Sequence, residues 1–351
     1  MSADVLALEC PLPIADYPNV VLAHGGGGRL SRTLVEKIFL GAYTNDTLAL
    51  LHDGAVLDVH GGRIAFSTDS YVIDPPFFPG GDIGSLAVHG TINDLAMCGA
   101  RPLALSAGFI LEEGFPMTDL WRIVLSMRDA AAAANTPIVT GDTKVVDRGK
   151  GDGIFINTTG VGIVQAGIEL APRRARAGDA ILISGSIATH GIAIMSIREG
   201  LEFETRLATD SAPLHTLVAA LLDALGSDVH VLRDPTRGGL ASALCELADS
   251  GHVGMTIDET AVPVLDEVRG ACEILGFDPL YVANEGKLVA VVAGDRADEA
   301  LAVMRANSLG ADAAIIGRVA DDHPGKVFQR SRIGGLRAIE MLTGEQLPRI
   351  C

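Results

Sequence analysis

Aromatic residues make up only 4% of this 351-residue chain, with a single Trp, and no apolar run approaches the roughly 18 residues of a membrane span. A protein that crosses a bilayer by helices is thereby excluded, and the chain reads as a soluble globular protein. Basic residues are also scarce, 27 Lys and Arg against 44 Asp and Glu, for a net charge of −17. Affinity for a polyanion comes mainly from cations that neutralise phosphates, so neither nucleic acid nor an acidic membrane surface is an expected partner. A phosphate ligand would need a cation between it and the protein. The start, Met1-Ser2-Ala3-Asp4, has no basic region ahead of an apolar segment. A secretory signal is not supported, and a cytoplasmic location is the expectation.

Cys10, Cys98, Cys245, Cys272 and Cys351 include no C-x-x-C or other close metal-ligand spacing, so no disulfide framework or zinc site is expected. Cys98, Cys245 and Cys272 lie in segments of helical apolar spacing, where a reduced Cys is a small core residue. Gly149-Lys150, Gly286-Lys287 and Gly325-Lys326 are each followed by a residue other than Ser or Thr, and His-Glu-x-x-His is missing. A Walker phosphate loop and a zinc-peptidase helix are therefore absent.

Glycine is over-represented, 41 residues of 351 against a usual share of about 7%, and much of the excess falls in loops such as His24-Gly25-Gly26-Gly27-Gly28-Arg29. The first half alternates strands and helices. A helix is predicted over 30–40, a hairpin over 55–59 and 64–73 around Gly61-Gly62, and a helix capped by Asp82 to about Cys98. A strand (103–110), a helix (118–134) and strands at 137–146 and 153–164 follow. Residues 171–178 read as a domain junction. Beyond it a strand at 180–184 opens a second unit, with helices near 188–199, 213–225, 238–250, 264–275 and 295–307 and strands near 253–258, 279–283, 287–293 and 313–319. The fold class expected is α+β, as two α/β domains at 1–165 and 166–341 and a flexible tail at 342–351.

Four acidic residues flanked by small or polar neighbours carry the chemistry: Asp53, Asp69, Asp94 and Asp142. Magnesium takes hard oxygen ligands and bridges carboxylates to nucleotide phosphates, which such a set would suit. Each is equally a residue that caps or turns the chain through its own backbone bonds. The glycine run ahead of a predicted helix is either a phosphate cradle or a linker. Arg237, in Asp234-Pro235-Thr236-Arg237-Gly238-Gly239, either grips an anion or pairs with Asp234. Cys351 is either an accessible nucleophile on a mobile tail or an incidental last residue.

These motifs, with Thr68-Asp69-Ser70, Asn93-Asp94-Leu95-Ala96, Gly141-Asp142-Thr143-Lys144, Asn284-Glu285-Gly286 and the terminal Pro348-Arg349-Ile350-Cys351, resemble the HypE-type carbamoyl dehydratases of hydrogenase maturation. That family sits in a superfamily with aminoimidazole ribonucleotide synthetase, selenophosphate synthetase and thiamine monophosphate kinase. The resemblance spans nearly the whole chain. It implies a homodimer whose N-terminal sheets join into a barrel, and an ATP site made by Gly25, Gly26, Gly27, Asp53, Asp69, Asp94, Asp142 and Thr143. The four aspartates would hold Mg2+. It further implies that a carbamoyltransferase, HypF, loads the Cys351 thiol, that ATP drives dehydration of the carbamoyl group to a thiocyanate with Lys144 and Glu285 as catalytic groups, and that the cyano group passes to iron on a HypC–HypD scaffold. His52 stands where several superfamily members have another Asp, which leaves the number of metals open. A selenophosphate synthetase is the nearest alternative, yet its N-terminal reactive Cys followed by Lys has no match, since Cys10 precedes Pro11-Leu12-Pro13. A non-enzymatic docking protein is the other alternative.

Overall fold

A computed structural model describes residues 21–24, 26, 28–43, 45–200, 207–342, 347 and 349–351. The first helix is less regular than expected: α1 (Arg29–Leu34) widens into a π turn over Val35–Phe39 and closes as α2 (Leu40–Tyr43). The hairpin forms as β1 (Ala55–Val59) and β2 (Gly62–Tyr71), with Val59 opposite Gly62. Two short strands, β3 (Phe77–Phe78) and β4 (Gly81–Asp82), lead into α3 (Ile83–Met97). Asp82 caps it, its Oδ1 accepting from the Gly84 and Ser85 amides at 2.8 and 2.9 Å while Ser85 Oγ accepts from the Asp82 amide.

The strand β5 (Ala100–Glu112), α4 (Met117–Ala133), β6 (Ile138–Val146) and β7 (Ile154–Val164) complete a sheet ordered β1-β2-β7-β5-β6. Only β6 runs parallel to its neighbour, and it is an edge. Successive side chains of a strand point to opposite faces. On β2, Ala65, Ser67, Asp69 and Tyr71 turn inward toward α3, and Phe66, Thr68 and Ser70 turn outward. The Asp69 partner on β7, Thr158, confirms the inner face: its hydroxyl donates to Ala87 O of α3 at 2.9 Å.

Past a 3-10 turn at Pro172–Arg174, where the junction was expected, come β8 (Ala180–Ile183), α5 (Thr189–Arg198), α6 (His215–Leu225), β9 (Val229–Arg233) and α7 (Gly239–Gly251). They are followed by β10 (Gly254–Asp258), α8 (Asp266–Leu275), β11 (Val289–Val292), α9 (Ala297–Ala306), β12 (Ala314–Ala320), β13 (Val327–Arg330) and β14 (Leu336–Ile339). The second sheet is ordered β14-β13-β10-β12-β8-β11-β9. The strand expected at 279–283 is instead a 3-10 turn, because Pro279 lacks an amide to pair and the Asp278 side chain caps the Leu280 amide at 3.0 Å. β8 and β11 are buried along their whole length, as continuous aliphatic runs in a covered sheet should be. Cys245 and Cys272 are buried free thiols in this core, and Cys98 is one packed against the first sheet with Ala65, Leu95 and Val164. Among the described residues no helix is long and apolar enough to cross a membrane.

Candidate active site

The tail was expected to be flexible and its thiol accessible; its described end, residues 347 and 349–351, is docked, and the thiol is buried. Leu347 and Ile350 pack into the core, and Cys351 is only 8% exposed. The Val72 and Asp74 amides, just past β2, donate to Cys351 O at 3.1 Å and to Arg349 O at 3.3 Å. The Arg349 guanidinium returns a bond to Val72 O at 3.1 Å and pairs with Asp152 and, at 3.8 Å, Asp74. Aliphatic burial and satisfied backbone thus seat the last residue at the inner end of β2.

Three of the four predicted aspartates converge there. Asp53 lies in the loop before β1, Asp69 at the inner end of β2 and Asp94 on the last turn of α3. Ser67 Oγ links two of them, donating to Asp94 Oδ2 at 2.6 Å and standing 3.2 Å from Asp53 O. Desolvation, then the charges of Asp234, Asp69 and Asp53, push the Asp94 carboxyl well above the usual carboxylate range. The Asp53 carboxylate is tied to Arg233 at 2.7 Å, which also pairs with Glu246 at 2.5 Å.

Glu285 completes the cluster. It is 4% exposed, and its loop is pinned: Asp210 Oδ1 accepts from the Glu285 amide at 3.1 Å and Asn93 Nδ2 donates to its carbonyl at 3.2 Å. Gly286 is required beside it, since a Cβ there would stand 1.7 Å from Asp210 O. Burial, then Asp234, Asp69 and Asp210, raise the Glu285 carboxyl well above its ordinary value, with Arg237 opposing. Burial also pushes the Cys351 thiol up to about 12, against the Arg237 charge, with Glu285, Asp69 and Asp234 adding. Arg237 reaches Asp69 at 3.8 Å, and the strongest influence on its guanidinium is Cys351. The Cys351 thiol, the buried Glu285 carboxyl and the Arg237 guanidinium therefore lie near enough for their charges to act on one another.

Asp142, Thr143 and Lys144 do not join this group. They lie in mid-strand on the exposed edge β6, where Lys144 Nζ pairs with Asp142 at 2.7 Å and holds it below the usual carboxylate range. Register explains the separation of Asp142 and Lys144: Asp142 lies in the row Ser70, Asn157, Gly108, Asp142, on the outer face of the sheet, whereas Asp69 faces inward; Thr143 lies in the inward row of Tyr71 but is exposed on the edge strand. Gly25 and Gly27 lie outside the described residues; Gly26 donates to Ala23 O at 3.4 Å ahead of α1.

A cavity of about 480 Å³ adjoins the cluster, bounded by Val35, Leu48, Leu51 and Phe66 on its apolar side and by Asp53, Arg233 and Glu246 at its polar end. Its size suits a nucleotide-sized ligand. Among the described residues no three His, Cys, Asp or Glu side chains already form a metal-binding group. The donor chemistry nevertheless fits magnesium, which takes one or two carboxylates and fills its shell with phosphate and water oxygens. Asp53 Oδ2 and Glu285 Oε1 are buried without a hydrogen-bond partner, and the crowded acids repel. Asp234, Asp210 and Arg233 belong to this site yet were not singled out from the sequence. Asp234 was in view within its motif; nothing local marks Asp210.

Comparison with known proteins places this geometry in a family. The AIR synthase related protein models match, the N-terminal domain over residues 51–164 and the C-terminal domain over residues 176–329. A carbamoyl dehydratase HypE from Cupriavidus necator is 56% identical over 347 residues, covering 99% of this chain and 98% of its own length. The crystal structure of a hydrogenase maturation protein HypE in complex with ATP matches with a TM-score of 0.80 at 51% identity, over 95% of this chain and 100% of that one. A chain from the crystal structure of a HypE–HypF complex matches with a TM-score of 0.84 at 46% identity, over 88% of this chain and 99% of that one. With its thiol-terminated tail seated among buried acids, the chain belongs to the HypE family of carbamoyl dehydratases, on the two-domain AIR synthase related fold.

Proposed function

We propose that this protein converts an S-carbamoyl group on Cys351 into a thiocyanate with ATP, for delivery as a cyanide ligand to hydrogenase iron. The observation that carries the reading is the seating of Cys351 on the Val72 amide past the end of β2, within the field of Glu285 and Arg237. An amide oxygen leaves poorly, so transfer of the γ-phosphoryl group to the carbamoyl oxygen turns it into a phosphate leaving group. Two protons must then leave the carbamoyl nitrogen: loss of the first gives an O-phosphorylated imidate, and as Glu285 takes the second the C–O bond breaks, giving the nitrile and inorganic phosphate. Arg237 faces the negative charge that builds on the transferred group. Nucleotide would lie in the 480 Å³ cavity, its base on the apolar side and its phosphates toward Asp53. Magnesium held by Asp53, Asp69 or Asp94 would neutralise phosphate charge there.

Lys144 and Asp142 enter this scheme from a second copy. The outer face of the first sheet exposes Leu57, Phe66, Ile110 and Ile163 beside them, an apolar band of the kind that marks an interface. A homodimer joined through these faces would cover the band and bring the edge strand of one chain toward the site of the other. Residues 1–165 then serve nucleotide binding and dimerisation, 166–341 close the site, and 342–351 carry the reacting thiol.

A docked tail must also leave. The burial of Leu347 and Ile350 that is lost on release is offset by the chain entropy that the tail regains, so a partner can draw Cys351 out for loading. That partner is a HypF-type carbamoyltransferase in the cytoplasm, and a HypC–HypD-type scaffold receives the cyano group. Incubation with the carbamoyltransferase, carbamoyl phosphate and Mg-ATP should add a carbamoyl mass to the C-terminal peptide and then remove one water. A Cys351→Ala variant that still yielded the cyano product would overturn the proposal.

A further inference from the structure

The last three carbonyls of the chain are each held by a donor, and only one of those donors is a fully buried side chain. Ile350 O lies 2.8 Å from Nε2 of His190, in the first turn of α5. His190 has no exposed surface and meets the Phe78 ring edge-on at 5.8 Å. Its other nitrogen, Nδ1, is 2.7 Å from Thr209 Oγ1, which accepts in turn from the Ser211 amide at 3.1 Å. A carbonyl only accepts, so the ring proton is on Nε2; in the neutral ring Nδ1 then accepts from the Thr209 hydroxyl. Burial favours that neutral ring, with the Asp210 charge opposing.

The Thr209 end of this chain of bonds leads to the base. Asp210, next in sequence, takes the Glu285 amide on its Oδ1 at 3.1 Å, and its carbonyl is the atom that leaves room only for glycine at 286. One short segment, 209–211, therefore touches both the support of the tail and the support of Glu285. We propose that His190 is a positioning residue for the dehydration: by holding the Ile350 carbonyl from a base set by Thr209, it fixes where the carbamoyl group on Cys351 lies relative to Glu285. The proposal rests on the reading of Cys351 as carrier. Displacement of a reacting group by about 1 Å can cost on the order of a hundredfold in rate, so one anchor adjacent to the carrier residue is enough to matter.

The geometry separates the two ring nitrogens, and amide side chains mimic them one at a time. His190→Gln places its amide donor near the Nε2 position; His190→Asn reaches only the Nδ1 position. With the full chain loaded by its carbamoyltransferase, thiocyanate formation should stay within about threefold of wild type for His190→Gln and fall at least about tenfold for His190→Asn. Iodoacetamide should label Cys351 faster in the Asn variant than in wild type, while Mg-ATP affinity stays unchanged in both. Thr209→Val, isosteric and lacking the hydroxyl, should slow thiocyanate formation in the same direction and serves if a His190 variant does not fold. Equal rates for Asn and wild type, or an equal fall for Gln and Asn, would overturn the assignment. A wild-type protein that forms no thiocyanate overturns the carrier reading itself, whereas a working wild type beside an equally active His190→Asn overturns only the role of His190.

Discussion

Asp94 shows at one residue how a site is kept at the expense of stability. Its carboxyl is pushed well above the ordinary range by desolvation and by Asp234, Asp69 and Asp53. A carboxyl raised on folding contributes stability below its unfolded pKa and loses that contribution as pH rises through its folded pKa. The same burial raises Asp53 to about 6 and Asp234 to about 8, so the ligand-free protein should lose stability between about pH 5 and about pH 8 as the cluster ionises. Asp94→Asn keeps an acceptor for Ser67 Oγ and removes the charge. It should stabilise the ligand-free protein at about pH 8, where the wild-type protein must either bury the charge or hold the proton, while abolishing turnover. Urea unfolding of both proteins at the two pH values measures this, and a variant less stable than wild type at the higher pH would refute it. The sequence already pointed to Asp53, Asp69 and Asp94, because acids among small neighbours are conspicuous. It could not show that Asp142 faces away, for that depends on strand register across three neighbours. Nor did it mark His190 or Asp210, whose roles come from partners 160 and 75 positions away.

Among elements, those with their own start signals were legible. Asp82 followed by Ser85 announces α3, and the structure has the reciprocal pair of bonds. Losing it should cost about 1 kcal/mol, within the range of about 0.5–2 for N-caps. Asp82→Ala should lower the urea midpoint with no change in the slope of the transition; a changed slope would mean that the cap also governs compactness. Elements without such signals were read less well. The apolar stretch 279–283 carries strand-like residues, but Pro279 and the Asp278 cap select a turn. The hairpin of β13 and β14 has short strands of four residues each, too brief for alternation to stand out. The tail lacks periodicity because its order comes from the Val72 and Asp74 amides and from His190, all outside its own sequence.

For the whole molecule, the question is why a catalytic lysine expected at the centre of the chemistry stands on an exposed edge strand, 70% open to solvent. If each site draws Glu285 from one chain and Lys144 from the other, subunits carrying Lys144→Ala and Glu285→Gln are each inactive alone. In a mixed dimer one site would unite the intact Glu285 of the first variant with the intact Lys144 of the second, and the other site would carry both defects. Mixing the two inactive proteins under conditions of subunit exchange should therefore restore thiocyanate formation. With both residues drawn from a single chain, every site in the mixture keeps one defect and no activity returns. A companion change at the apolar band, Ile163→Glu, places a charge where the outer faces would meet, away from the nucleotide cavity, and should reduce both the dimer fraction in sedimentation and the restored activity. Recovery in the mixture, lost again when the band is charged, would establish that the acid-rich site of one chain is completed by the edge strand of its neighbour.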